Sequence, residues 1–323
     1  MRIPLVLLVL GVLLFVVIAL NRFPPLSEST PSGAPRPALR VWSVRLIRIA
    51  ALVMAFMVLL LLLENSMIFF PSRYPEGDWR PPHASVEDCF FETADGVRLH
   101  AWWLPGARPE SGPVLLWFHG NAGNITHRGD NLAMFVGRDA SVLLVDYRGY
   151  GRSEGKPSEK GIYLDGEAAY EYVTRERGVP AGRVICFGRS IGCAVALHVA
   201  LKYPVAGLVL ESPFTSARAM ARRMLPLLPV WLFIRSEFDN IGRVPSVKAP
   251  VLVIHGDRDE VVPFEQGRAV FDAAPEPKEF YCLEGARHND TYLVGGAPYM
   301  DRLLAFCSRC TADAAQGDAA LRR

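Results

Sequence analysis

An α/β fold, with a mostly parallel central sheet covered by helices on both faces, is what this sequence predicts from three observations. From Pro71 onward, short apolar runs alternate with amphipathic stretches of helical period, the pattern of repeated strand–helix units. Several runs, "PVLLWFHG", "SVLLVDYRG", "RVICFG", "AGLVLES" and "PVLVIHG", are continuously apolar, which marks strands buried on both faces. The chemically unusual residues fall at the ends of these runs, where open α/β sheets bind their ligands.

The chain has 323 residues, 50% of them hydrophobic, enough for one large domain with additions or for two small domains. A net charge of +2, without any block of like charge, excludes a dedicated nucleic-acid surface. Six scattered cysteines do not make a disulfide scaffold. Cys186 and Cys282 sit in apolar runs as small core residues. Cys307-Ser308-Arg309-Cys310 lies in a final helix with no second pair, so a packing role is expected ahead of a redox one.

The N-terminus has a different character. Residues 5–20 carry no charge, and residues 46–63 are apolar apart from Arg48. Eighteen helical residues span about 27 Å, close to the roughly 30 Å hydrocarbon core, so 46–63 is a transmembrane candidate with Arg48 snorkelling. The first segment reads as a second span, a signal-peptide core or an over-long start. The Pro/Ser-rich linker between them is arginine-rich, which places it on the cytoplasmic side and the domain that follows on the non-cytoplasmic side. The expected organisation is a membrane anchor over 1–70, a catalytic domain over 71–310 and a flexible tail over 311–323.

In the catalytic domain, "SVEDCFFET" and "GVRLHAWWLP" are strands joined by the hairpin signal Ala94-Asp95-Gly96. Strand "PVLLWFHG" is followed by a helical stretch near 131–136, strand "SVLLVDYRG" and the amphipathic helix "EKGIYLDGEAAYEYVTRERG" with its glycine stop. Strand "RVICFG" leads to a helix over 191–203, then strand "AGLVLES". Residues 213–247 break the rhythm and read as a small cap insert. Strand "PVLVIHG", a helix over 263–274, strand "KEFYCLEG" and a helix after Tyr292 complete the domain.

Gly188-Arg189-Ser190-Ile191-Gly192 is a G-x-S-x-G between a strand and a helix, the pattern of a nucleophile elbow. The glycines let strand and helix approach without a Cβ clash, and the serine oxygen stands at a helix N-terminus, where amide dipoles favour developing negative charge. A serine hydroxyl needs a base, and the expected chain order is Ser, acid, His. His198 lies on the following helix and points away, and His255 ends a strand. His288, in "EGARHND" after the last strand, is the candidate base. The acid is Asp259, Asp257 or Glu211: Asp259 is far enough out on its loop, Asp257 is placed to brace that loop, and Glu211 ends the preceding strand. Oxyanion stabilisation needs two backbone N–H donors, for which Ile191 and Asn121, in the turn "HGNAGN", are the candidates. His119 in that turn precedes the serine and reads as a loop brace.

The cap stretch "MLPLLPVWLFIRSEFDNIGRV" offers apolar residues, among them Leu228, Trp231 and Phe233, either to line an acyl pocket or simply to pack on the sheet. An apolar cap beside a membrane anchor favours a small-molecule or lipid-like acyl substrate. No zinc-ligand cluster, P-loop or dinucleotide glycine motif is visible, so neither metal nor cofactor is expected.

Taken in order, "FHGNAGN", "DYRGYGRSEGKPSEKG", "GRSIG", "ESPFTS", "HGDRDEVVP" and "GARHND" resemble the alpha/beta hydrolase superfamily. With the lead-in "NSMIFFPSRYPEGDW" they are most similar to its branch of N-terminally membrane-anchored serine hydrolases related to acyl-protein thioesterases. The resemblance implies Ser190 as nucleophile, Asp259 as acid and His288 as base, acting on carboxylic esters or thioesters through an acyl-enzyme. Cys193 stands where that branch carries a second glycine, a small-residue exchange from which no loss is expected; the cysteine clusters that anchor depalmitoylases are missing, which points away from protein depalmitoylation. The rival expectations are a peptidase or amidase with the same triad and a non-catalytic binding protein of this fold.

Overall fold

The computed structural model describes residues 38–227 and 229–321, and the chain divides into two units, Met1–Glu64 and Asn65–Arg323. In the first unit, helix α1 (Ala38–Leu62) is 25 residues long. Most of its large apolar side chains from Leu46 onward are solvent-exposed, including Ile47, Met54 and Leu62. The expected span over 46–63 needs correction. Among the described residues no helix is long and apolar enough to cross a membrane. Arg40, Arg45 and Arg48 lie within α1, and the uncharged run from Ile49 to Leu62 is 14 residues. That run is about 21 Å long, short of the roughly 30 Å core. The other expected segment, 5–20, lies outside the described residues.

The second unit is built on eight strands: β1 (Glu87–Glu92), β2 (Arg98–Leu104), β3 (Val114–Phe118), β4 (Ser141–Asp146), β5 (Val184–Arg189), β6 (Gly207–Glu211), β7 (Val251–Gly256) and β8 (Lys278–Leu283). Their order across the sheet is β8-β7-β6-β5-β3-β4-β2-β1. Strands β3 to β8 run parallel, and only the pairings β1–β2 and β2–β4 are antiparallel. The β1–β2 turn closes with Thr93 N–H donating to Val97 O and with Gly96 at φ 76°. Every residue of β3 to β7 is buried, which is why these runs carry no polar alternation.

Successive side chains of each strand feed opposite layers. Val114, Leu116 and Phe118 pack on one side with α2 (Glu159–Glu171), α3 (Gly192–Lys202) and α5 (Phe264–Ala273). Leu115 and Trp117 pack on the other with α6 (Thr291–Leu321). Each such side chain contributes roughly 1.5–3 kcal/mol by leaving water.

Helix α6 bends at Gly296 (φ 51°, ψ −138°), just before Pro298, and continues to Leu321, so residues 311–321 are helical where a flexible tail is expected. Tyr299, Met300, Leu303, Phe306, Cys307 and Cys310 form its buried stripe at helical spacing. The C-x-x-C pair is part of that stripe, and both thiols are free and buried. Burial pushes both up, the Cys310 thiol to about 12.

Candidate active site

The elbow forms because only glycine fits on either side of Ser190. A Cβ on Gly188 would lie 2.3 Å from Gly192 O, and one on Gly192 would lie 2.0 Å from Phe118 O, both rigid main-chain atoms. Ser190 itself sits at φ 53°, a left-handed conformation that costs a non-glycine residue about 1–3 kcal/mol. Two main-chain bonds hold it there: Ser190 N–H donates to Glu211 O (2.9 Å), and Cys193 N–H donates to Ser190 O (3.0 Å). The Cys193 thiol fills the space behind the turn, 3.2 Å from both Gly188 O and Glu211 O. The serine is thereby held at the edge of the sheet, at the N-terminus of α3.

The loops after β7 and β8 are stitched together. Asp257 N–H donates to Leu283 O, Arg258 N–H donates to Ala286 O, and Gly285 N–H donates to the Asp257 carboxylate (2.6 Å). This seam brings His288 Nδ1 to 2.7 Å from Asp259 Oδ2. Asp257 is therefore the loop brace and Asp259 the partner of His288. Asp259 Oδ1 accepts from the Val261 and Val262 amides at 2.8 Å each, and His255 Nε2 lies 3.4 Å from Oδ2. Burial alone pushes this carboxyl up, but the hydrogen bonds from His255, His288 and the Val262 amide outweigh it and hold Asp259 far below the usual carboxylate range. An ionised Asp259 selects the Nδ1–H tautomer of His288 and leaves Nε2 with its lone pair.

Glu211, the alternative acid, is otherwise engaged. It is buried, faces Arg189 Nε at 3.1 Å, and accepts from Thr291 Oγ1 and Tyr299 OH, each at 2.6 Å. Arg189 Nη2 also donates to the carbonyl of His288. His198 bonds Glu167 at 2.8 Å, and burial lowers its pKa against the opposing pull of that carboxylate.

The turn after β3 lies against the serine: a Cβ on Gly120 would be 3.6 Å from Ser190 Cβ. Its carbonyls are drawn away from the site. Tyr147 OH donates to His119 O (2.8 Å), Tyr150 OH donates to Asn121 O (2.7 Å), and Phe70 N–H donates to the same Asn121 O (3.2 Å). Among the described residues, neither the Asn121 nor the Ile191 amide has a hydrogen-bond partner. His119 is fully buried; its Nδ1 donates to Gly120 O (2.6 Å) and its Nε2 faces Asp146 at 3.6 Å, so it braces the turn from beneath. The two tyrosines of "DYRGY" escaped the sequence reading. Their signal was two aromatic hydroxyls at the end of a buried strand, where each needs an acceptor.

Phe233 is 55% exposed, and Trp231 is half-buried under the Arg222 guanidinium, 5.3 Å from its ring centre. Leu228 lies outside the described residues.

The chain is similar to known proteins in sequence and in fold. The family model described as serine aminopeptidase, S33, matches residues 109–240. An uncharacterized protein of Mycobacterium tuberculosis is 38% identical over 243 residues, 75% of this chain and 86% of that protein. The alpha/beta hydrolase domain-containing protein WAV2 of Arabidopsis thaliana is 32% identical, covering 80% of this chain and 92% of its own length. The human alpha/beta hydrolase domain-containing protein 17B is 34% identical over 69% of this chain and 75% of its own. Among solved structures, an esterase of Pyrococcus furiosus superimposes with a TM-score of 0.61 at 22% identity, covering 75% of this chain and 98% of the esterase. With its strand order, its elbow and these relatives, the chain belongs to the alpha/beta hydrolase superfamily.

Proposed function

We propose that this protein is a serine hydrolase that cleaves carboxylic esters or thioesters of acyl, lipid-like substrates through an acyl-enzyme. The observation that carries this reading is the His288–Asp259 pair at 2.7 Å, on the same strand edge as a serine strained into an elbow. In the proposed reaction Ser190 Oγ attacks the acyl carbonyl as His288 Nε2 takes its proton. The Asn121 and Ile191 amides hold the oxyanion. His288 then passes the proton to the departing alcohol or thiol, and water repeats the cycle on the acyl-serine. Asp259 keeps the tautomer and offsets the imidazolium charge. Two structural neighbours, esterases of Pyrococcus furiosus and Rhodococcus, agree with ester chemistry.

A second reading, amide or peptide hydrolysis, is favoured by the description of the matching family model. The same groups serve both reactions. Turnover of a p-nitrophenyl ester series beside an aminoacyl-anilide series separates them.

Membrane attachment through the N-terminal region belongs to the same proposal. Its support is the exposed apolar surface of α1, which follows the arginine-rich linker in the sequence. Alkaline extraction of membranes and protease accessibility of intact cells test attachment and side. Labelling by a fluorophosphonate tests the chemistry: wild type should label and Ser190→Ala should not. A folded wild type that stays unlabelled would overturn the hydrolase reading.

A further inference from the structure

The cap insert carries a surface that the hydrolase reading does not use. Between Ser216 and Ser236 the chain has four arginines, at 218, 222, 223 and 235, and no acidic residue. Helix α4 (Ala217–Met224) turns Met220 toward the body of the unit, where Gln266 Nε2 reaches its sulfur at 3.4 Å. Arg218, Arg222 and Arg223 are exposed to solvent. Beside them stand Met224 (54% exposed), Leu227 (94%), Leu232 (54%) and Phe233 (55%). Exposed large apolar side chains are ordinary when scattered. Here, among the described residues, four of the ten exposed large apolar side chains beyond residue 65 fall within ten consecutive positions, in the same insert as the arginines.

We infer that this cap face docks on the surface of an anionic phospholipid bilayer. Leu227 is a prong rather than the floor of a groove, so it suits a fluid acyl boundary into which side chains sink about 5–10 Å. The arginines complement a negative headgroup layer. The Arg222 guanidinium, stacked over Trp231, ties the charged helix to the apolar turn, so both present together. The insert starts at the carboxyl end of β6, on the sheet edge where Ser190 follows β5 and Asp259 follows β7, before the chain crosses to the amino end of β7. Docking therefore turns the reactive edge toward acyl groups held in the membrane. This last consequence rests on the hydrolase proposal; the docking itself does not.

The test uses the full chain with Leu227→Cys labelled by a nitrobenzoxadiazole fluorophore. The wild-type chain is treated identically to measure labelling of its own, largely buried cysteines. Vesicles are phosphatidylcholine with or without phosphatidylglycerol. We expect a blue shift and a several-fold rise in emission on the anionic vesicles only. It should be lost in Arg218→Glu/Arg223→Glu, while fluorophosphonate labelling of that variant is unchanged. Emission identical to that in buffer, while the chain floats with anionic vesicles, overturns the inference. An equal shift on phosphatidylcholine alone overturns the assignment to anionic lipid. A lipid-dependent shift in a chain that no fluorophosphonate labels supports docking and overturns the hydrolase reading instead.

Discussion

Arg189 joins the serine elbow to the loop of His288: its Nη2 donates to the His288 carbonyl while its Nε faces Glu211 at 3.1 Å. The pair is buried, and Glu211 is anchored in turn by Thr291 and Tyr299 of α6. Removing one member strands the other charge. Arg189→Met is expected to cost about 3–5 kcal/mol of stability in urea unfolding. It should also lower kcat more than it raises KM, because it unties His288 rather than the substrate. Unchanged kcat in the folded variant would show that the contact is structural only.

Asp259→Asn keeps the shape of the pair but reverses its hydrogen-bond preference. An amide donating to His288 favours the wrong tautomer, and kcat should fall about 10⁴-fold with KM little changed. Ester hydrolysis under single-turnover conditions reads this directly, and a loss below tenfold would remove Asp259 from the acid role.

The same residue sets a pH signature. Its folded pKa is depressed by the histidines and the Val262 amide. The carboxylate therefore stabilises the folded state at all pH values above the unfolded carboxylate pKa, and this contribution is lost as pH falls through the depressed folded value. The stability difference between wild type and Asp259→Asn should be flat at neutral pH and shrink only below about pH 4. Denaturant midpoints across a pH series measure it; a difference that already declines near neutrality would contradict the ionised pair.

Tyr147 and Tyr150 hold the carbonyls of the turn beside Ser190. Tyr147→Phe leaves a buried main-chain carbonyl without its donor, at a cost of about 1–3 kcal/mol. Loss of one oxyanion donor costs about 100- to 1000-fold in rate, and a tyrosine acting through the turn should cost less. A drop in kcat without a change in labelling of Ser190 at saturating probe is the expected pattern, and unchanged kcat would leave the tyrosines with a folding role alone.

Gly192→Ala tests the elbow. The added methyl meets Phe118 O at 2.0 Å, and neither β3 nor α3 can yield without breaking the sheet. Expected is loss of fluorophosphonate labelling together with a large fall in thermal stability. A stable, fully labelled variant would show that the elbow has room it does not display.

Much of this molecule was legible in one dimension. Continuous apolar runs imply strands buried on both faces, and glycines at a strand-to-helix junction imply an elbow, because both follow from sterics and burial within a few residues. His288 was legible by its place after the last strand. What only the tertiary structure decided concerns groups distant in sequence. Asp259, Asp257 and Glu211 are the same chemistry at similar strand ends, and their roles separate only because the β7 and β8 loops are sewn together and Arg189 claims Glu211. Tyr147 and Tyr150 meet acceptors 28 and 29 residues away. The cap illustrates the converse: its apolar composition suggested a pocket lining, yet Leu227 and Phe233 face solvent, because composition determines what a side chain prefers and only packing determines whether it is covered.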